Sequence, residues 1–183
     1  MDGQFTFQYP VVLFALILAS GCRPPGDKAN RPSPFASDTL QTSEFTVAIA
    51  YSSPRVRERD IWNKLVPYHK VWRTGANEAT VFSTNSDLLL EGRLLPAGKY
   101  AGFTIPSDQQ WTIIFNRDWD QWGAYGYDQS KDQLRIQVMP VRAKTFKEEM
   151  TFDVEDGAIT FHWKNLGYEL AFKKAVNQSS GSR

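Results

Sequence analysis

The sequence predicts an all-β domain: an antiparallel, jelly-roll-like β-sandwich of about 8–10 short strands. Three observations carry that prediction. Apolar residues alternate with polar or small ones in several short runs, as in Phe45, Val47, Ile49 and Tyr51. Turn residues recur between these runs: Ser52-Ser53-Pro54, Gly92-Arg93, Pro96-Ala97-Gly98 and Asp156-Gly157. No apolar pattern of helical period runs longer than about two turns.

The chain begins differently. Val11–Ile17 is a short apolar run followed by Leu18-Ala19-Ser20-Gly21-Cys22. That is the layout of a signal peptide with its small-residue cleavage site, and it is too short to span a bilayer. Leu-Ala-Ser-Gly-Cys resembles a bacterial lipobox, with Cys22 as the residue that would carry the lipid. Met1–Pro10 contains no Lys or Arg, so the usual positive leader is missing. The expectation is residues 1–21 as a lipoprotein signal peptide, an exported protein, and a membrane anchor at Cys22. The anchored domain would sit in the cell envelope, on the periplasmic face or the cell surface. Residues 22–43, rich in Pro, Ser and Thr, read as the acylated Cys and a flexible tether.

The folded domain is expected over residues 44–176. Its first strand ends at Ser52-Ser53-Pro54, because proline cannot donate to a ladder. Asp60 is placed to cap a short helical turn through Leu65, with Ile61 and Leu65 on one side. Strands are expected at Glu78–Thr84, Asp87–Glu91, Lys99–Ile105 and Trp111–Phe115, and at Leu134, Ile136 and Val138. Within Glu78–Thr84 the alternation puts Glu78, Thr80, Phe82 and Thr84 on one face. Gly102 suggests a bulge or a close backbone approach. Trp111–Phe115, apolar on both faces, reads as a central strand. Residues 116–132 form a long polar loop holding Trp119, Trp122, Tyr125 and Tyr127. The domain ends as a meander. Met150, Phe152 and Val154 face inward, Asp156-Gly157 turns, and Ile159, Phe161 and Trp163 follow. Asn165-Leu166-Gly167 turns again into Tyr168, Leu170 and Phe172. Residues 177–183 are a polar tail.

Composition narrows the chemistry. Lys+Arg is 21 and Asp+Glu is 20, and no basic stripe stands out, which argues against nucleic acid as a partner. One cysteine and two histidines argue against a multi-Cys or His-rich metal site, and no metal or cofactor is expected. No Gly-x-Ser-x-Gly or Gly-rich phosphate loop occurs. Two stretches remain. Val71–Thr80 concentrates Trp72, Arg73, Asn77 and Glu78, a set that binds a ligand or interlocks as a structural network. Trp119–Tyr127 offers flat aromatic faces of the kind that line grooves for sugars or extended peptides, or plug a core.

A family resemblance gathers these features. Tyr51-Ser52-Ser53-Pro54 with Arg55 and Arg57, Val66-Pro67-Tyr68, Val71–Thr80, Leu95–Tyr100, Phe103–Pro106, Trp111–Asn116, Asp120–Tyr125 and Asp132–Arg135 together resemble domain-of-unknown-function family 2911. The resemblance implies an exported bacterial β-sandwich, often a lipoprotein, with no activity to carry over. It also implies a shared polar pocket at positions including Arg73, Asn77, Glu78, Trp122 and Tyr125. The candidate ligand-binding set is therefore Arg73, Asn77, Glu78, Trp122, Tyr125 and Arg57. The preferred expectation is a non-enzymatic binding module for a glycan or peptide. One rival is a hydrolase of an envelope polymer acting through Glu78 or through Asp118 and Asp120. The other is an assembly protein of the envelope. The 71–80 corner is expected to meet the 122–125 loop.

Overall fold

The computed structural model describes residues 30–176. Cys22, the expected signal peptide, the first part of the expected tether and the 177–183 tail lie outside these residues. The ten strands are β1 (Phe35–Gln41), β2 (Thr46–Ser52), β3 (Thr80–Thr84), β4 (Leu88–Leu90), β5 (Arg93–Leu95), β6 (Gly98–Ile105), β7 (Trp111–Asn116), β8 (Asp132–Val138), β9 (Val141–Glu155) and β10 (Ala158–Lys174). They form two antiparallel sheets, a larger one in the order β1-β2-β3-β6-β7-β8 and a smaller one in the order β5-β4-β10-β9. The protein is an all-β sandwich. Among the described residues, no helix is long and apolar enough to cross a membrane.

The predicted alternation is the reason the sheets pack. Val47, Ile49 and Tyr51 of β2, Phe82 of β3, and Trp111, Ile113 and Phe115 of β7 face Phe152, Ile159, Phe161 and Leu170 of the smaller sheet. Trp62, Trp72, Trp111 and Trp163 cluster at one end of this core. Trp72 stacks on Trp163 at a centroid distance of 5.9 Å, and Trp62 lies 4.7 Å from Trp111. Each fully buried large side chain contributes about 1.5–3 kcal/mol.

A second, smaller core lies on the outer face of the larger sheet. Ala101 and Phe103 of β6 and Ile114 of β7 point away from the sandwich interior and are covered by Val71, Ala124 and Tyr127. The 117–128 loop thus roofs the β6–β7 half of the sheet. The β1–β3 half stays open.

Four expectations are corrected. The tether does not extend to residue 43, because Phe35–Gln41 is the edge strand β1, paired with β2 from Phe35↔Ser52 to Gln41↔Thr46. Its side chains alternate between exposed and half-buried, so backbone pairing holds it and it shows no strong apolar pattern. Residues 60–66 form a turn, closed by Val66 N–H donating to Ile61 O at 2.9 Å, and contain no helix. Ile61 is buried there and Leu65 is exposed. Gly102 pairs regularly with Thr80 and Phe115 and marks no bulge. Finally, Asn165–Gly167 is not a turn. β10 continues through it, with register shifts between His162 and Lys164 and between Lys164 and Leu166.

Candidate functional site

The 71–80 stretch is a corner between the Trp72 bridge and β3. Trp72 exchanges backbone hydrogen bonds with Thr104 (2.8 and 2.9 Å) and buries its indole in the main core. Its Nε1 donates to Gly75 O at 3.1 Å. Thr80 closes the corner, donating from N to Arg73 O (3.1 Å) and from Oγ1 to Thr74 O (2.7 Å). Thr74 Oγ1 and Thr104 Oγ1 share a hydrogen bond of 2.8 Å. Within the corner Thr74 and Asn77 adopt φ of 53° and 58°. Asn tolerates that region; a β-branched Thr is strained there. Regular strand pairing begins only at Thr80, so the alternation expected from Glu78 does not hold. Thr80 is buried, whereas Glu78 lines a groove on the open face with Ala50 and Val81, so the two do not share a face as expected.

The corner meets the aromatic loop along the backbone. Glu78 bridges Trp122, Ala79 N donates to Gln121 O (3.1 Å), and Gly123 N donates to Asn77 O (3.1 Å). Gly123 has φ of 67°, and a Cβ there would lie 3.0 Å from the Tyr125 ring, so glycine seats Tyr125. The rest of the loop is fixed from below. Tyr127 Oη donates to Asp132 Oδ2 (2.7 Å), Arg135 Nε donates to the same oxygen (2.7 Å), and Asn116 Nδ2 donates to Asp132 Oδ1 (2.8 Å). Burial and the neighbouring carboxylate push the Tyr127 hydroxyl pKa up. No local signal in the sequence marks this clamp, whose members come from three elements.

Arg73 takes a different place from the other candidates. Its side chain is half-buried, its Nε is buried without a hydrogen-bond acceptor, and the guanidinium pairs with no carboxylate among the described residues. Burial lowers its pKa, with the Tyr125 hydroxyl acting weakly in the other direction. Trp122 (58% exposed) and Tyr125 (89% exposed) present open faces on the adjoining loop.

Arg57, Asn77 and Glu78 are already engaged, and by the same piece of chain. Arg31 Nη1 contacts both oxygens of Glu78 at 2.8 and 2.9 Å, Arg57 Nη2 donates to Pro32 O (3.3 Å), and Asn77 Nδ2 donates to Ser33 O (3.2 Å). Ser52 Oγ also donates to Glu78 at 3.4 Å. The segment that enters β1 is thus clasped by three of the six candidate residues. Sequence reading missed this occupant.

Beside the clasp runs a groove on the open half of the larger sheet. Ala50 and Val81 form part of its floor, Phe35 and Trp119 line it, and Glu78 and Asp120 add carboxylates; its volume is about 130 Å³. Lys99 Nζ lies 4.9 Å from the Trp119 ring centroid. Asp118 is not among the residues lining the groove; it pairs with Lys131 Nζ at 2.7 Å. Among the described residues no group of three His, Cys, Asp or Glu is placed to hold a metal ion.

A family model described as a protein of unknown function (DUF2911) matches residues 33–172. No curated protein and no solved structure matches the chain.

Proposed function

Since the chain belongs to the DUF2911 family, we propose that it is an envelope-anchored binding module for an extended anionic ligand. That ligand is an acidic glycan or a peptide carboxylate. Arg73 supplies the charged contact, and Trp122 and Tyr125 supply flat surfaces for stacking. The observation that carries this reading is the Arg73 guanidinium: half-buried, with its Nε lacking an acceptor, on a corner whose backbone is bonded to the loop that carries the exposed Trp122 and Tyr125 rings. Partly desolvating a charge without a partner is costly, and a planar guanidinium can donate two hydrogen bonds to one carboxylate. Strain at Thr74, next in sequence, supports the same assignment. Asn77, Glu78 and Arg57 shape the site by fixing the segment that borders it. The anchor at Cys22 and the location in the envelope rest on the leader sequence.

Titration calorimetry with an oligogalacturonate, its uncharged methyl ester and a short peptide with a free carboxylate tests the reading. The free acids are expected to bind, the ester to bind at least about tenfold more weakly, and Arg73→Ala to bind neither acid. Absence of binding by all three probes, together with a sharp loss of thermal stability in Arg73→Ala, overturns it. That outcome favours a purely structural corner.

A further inference from the structure

The first half of β9 departs from the rest of the sandwich. Between the paired positions Lys147↔Lys164 and Arg142↔Leu166, β9 advances five residues while β10 advances two. The excess is extruded as a bulge around Ala143–Phe146. In and beside it stand three cations and several large apolar side chains. Arg142, Lys144 and Lys147 are exposed, and no described residue forms an ion pair with them. Phe146 is 61% exposed, with Met139 and Val141 at 71% and 53% nearby. A folded domain gains nothing by holding three uncompensated cations beside three bare apolar side chains. Such a mixture suits the interface of an anionic bilayer, where the cations meet headgroups and the apolar groups enter the acyl boundary.

The course of the chain brings this tip near the segment that enters β1. The last residues of β9 before the core, Glu148 and Glu149, bond to Arg57 N (2.9 Å) and to Arg55. Arg57 in turn holds Pro32 O. The N-terminal segment therefore leaves the domain beside the base of the extruded bulge. Cys22 precedes Pro32 by ten residues, a reach of at most about 35 Å when extended.

We propose that residues 142–147, with Met139 and Val141, form a membrane-contact tip that engages anionic lipid headgroups and lays the domain against the bilayer that holds its anchor. The anchor itself is the sequence reading at Cys22. The tip can be tested without it, in the full chain carrying Cys22→Ser.

Vesicles containing phosphatidylglycerol and vesicles of phosphatidylcholine alone are the probes, read by co-sedimentation. The leader is common to every variant, so differences between variants report the tip. The Cys22→Ser chain is expected to prefer the anionic vesicles, a preference that weakens with salt. Adding Arg142→Glu, Lys144→Glu and Lys147→Glu should lower binding to them by on the order of a hundredfold. Phe146→Ser alone should lower it about tenfold. Lys173→Glu, on the other part of β10, should change it little. Equal partitioning onto both vesicles, or no loss in either tip variant, overturns the proposal. A circular-dichroism melt of each variant verifies the fold, and Phe146→Ser supplies a test should the triple variant prove unstable.

Discussion

Arg73 and Trp163 both carry a buried N–H without an acceptor, and they separate two uses of that defect. In Arg73 the group is charged and its side chain only half-buried, on the corner bonded to the loop of the exposed Trp122 and Tyr125. In Trp163 it is neutral and sealed in the core at 1% exposure. Arg73→Met keeps the aliphatic packing and removes the buried, unpartnered Nε–H of a half-buried charge. It is expected to raise stability by about 1 kcal/mol, a gain of roughly 2–4 °C in Tm, while removing anion binding. A melt and a titration on the same sample check both. A residue whose purpose was structural would lose stability. The tryptophans give a paired comparison. Trp111 Nε1 donates to Ser107 O at 2.8 Å, whereas Trp163 Nε1 has no acceptor. Both lie in the same cluster, so Trp111→Phe should cost about 1 kcal/mol more than Trp163→Phe in urea unfolding. At this scale the sequence was informative about identity and silent about company. It singled out Arg57, Asn77 and Glu78. Their partners, Pro32, Ser33 and Arg31, stand 25 to 47 positions away in the chain, and no local pattern records such contacts.

The strands show where periodicity succeeds and where it is ambiguous. Ile159, Phe161 and Trp163 are inward at odd positions; Tyr168, Leu170 and Phe172 are inward at even ones. A turn at Asn165–Gly167 accounts for that change of phase, and so do bulges within one strand. The protein uses bulges, with Lys164 at φ 55°. The cost is close packing: a Cβ on Gly167 would lie 2.3 Å from Phe161 O. Gly167→Ala should therefore destabilise the domain by about 3 kcal/mol or more, seen as a fall in urea midpoint at unchanged m-value. An ordinary surface turn would tolerate the change. β1 was illegible for another reason. An edge strand held by its backbone needs no apolar stripe, and Pro, Ser and Thr around it resemble a linker. The central strands, buried on both faces, announced themselves by composition alone.

For the molecule as a whole, stability is distributed unevenly across the larger sheet. β3, β6 and β7 are paired on both sides, and β6 and β7 contribute side chains to a core on each face. β1 is paired on one side only and buries little. Amide exchange should follow that ordering. Protection of β6 and β7 should equal the global unfolding free energy, with β1 and the 142–147 bulge opening several kcal/mol below it. Uniform protection across all six strands would contradict this layering. The fold class was predictable because sandwiches are specified by repeated short alternations and turns. The site was predictable only as two stretches that meet. What separates a ligand contact from a clasp is long-range pairing.

The clasp on residues 31–33 also has a mechanical meaning. Under the proposed anchoring at Cys22, load along the N-terminal thread reaches Arg31, Pro32 and Ser33 before it reaches β1. Behind them β1 is antiparallel to β2 with Phe35 opposite Ser52, so a pull on this end peels hydrogen bonds one after another. The Arg31–Glu78 pair and its two neighbours stand ahead of that zipper as a fuse. Its loss would remove the Arg31 contacts from Glu78 at the groove and the Ser33 contact from Asn77, in the corner that holds Arg73. Under that anchoring, tension on the thread would be linked to the state of the proposed binding surface.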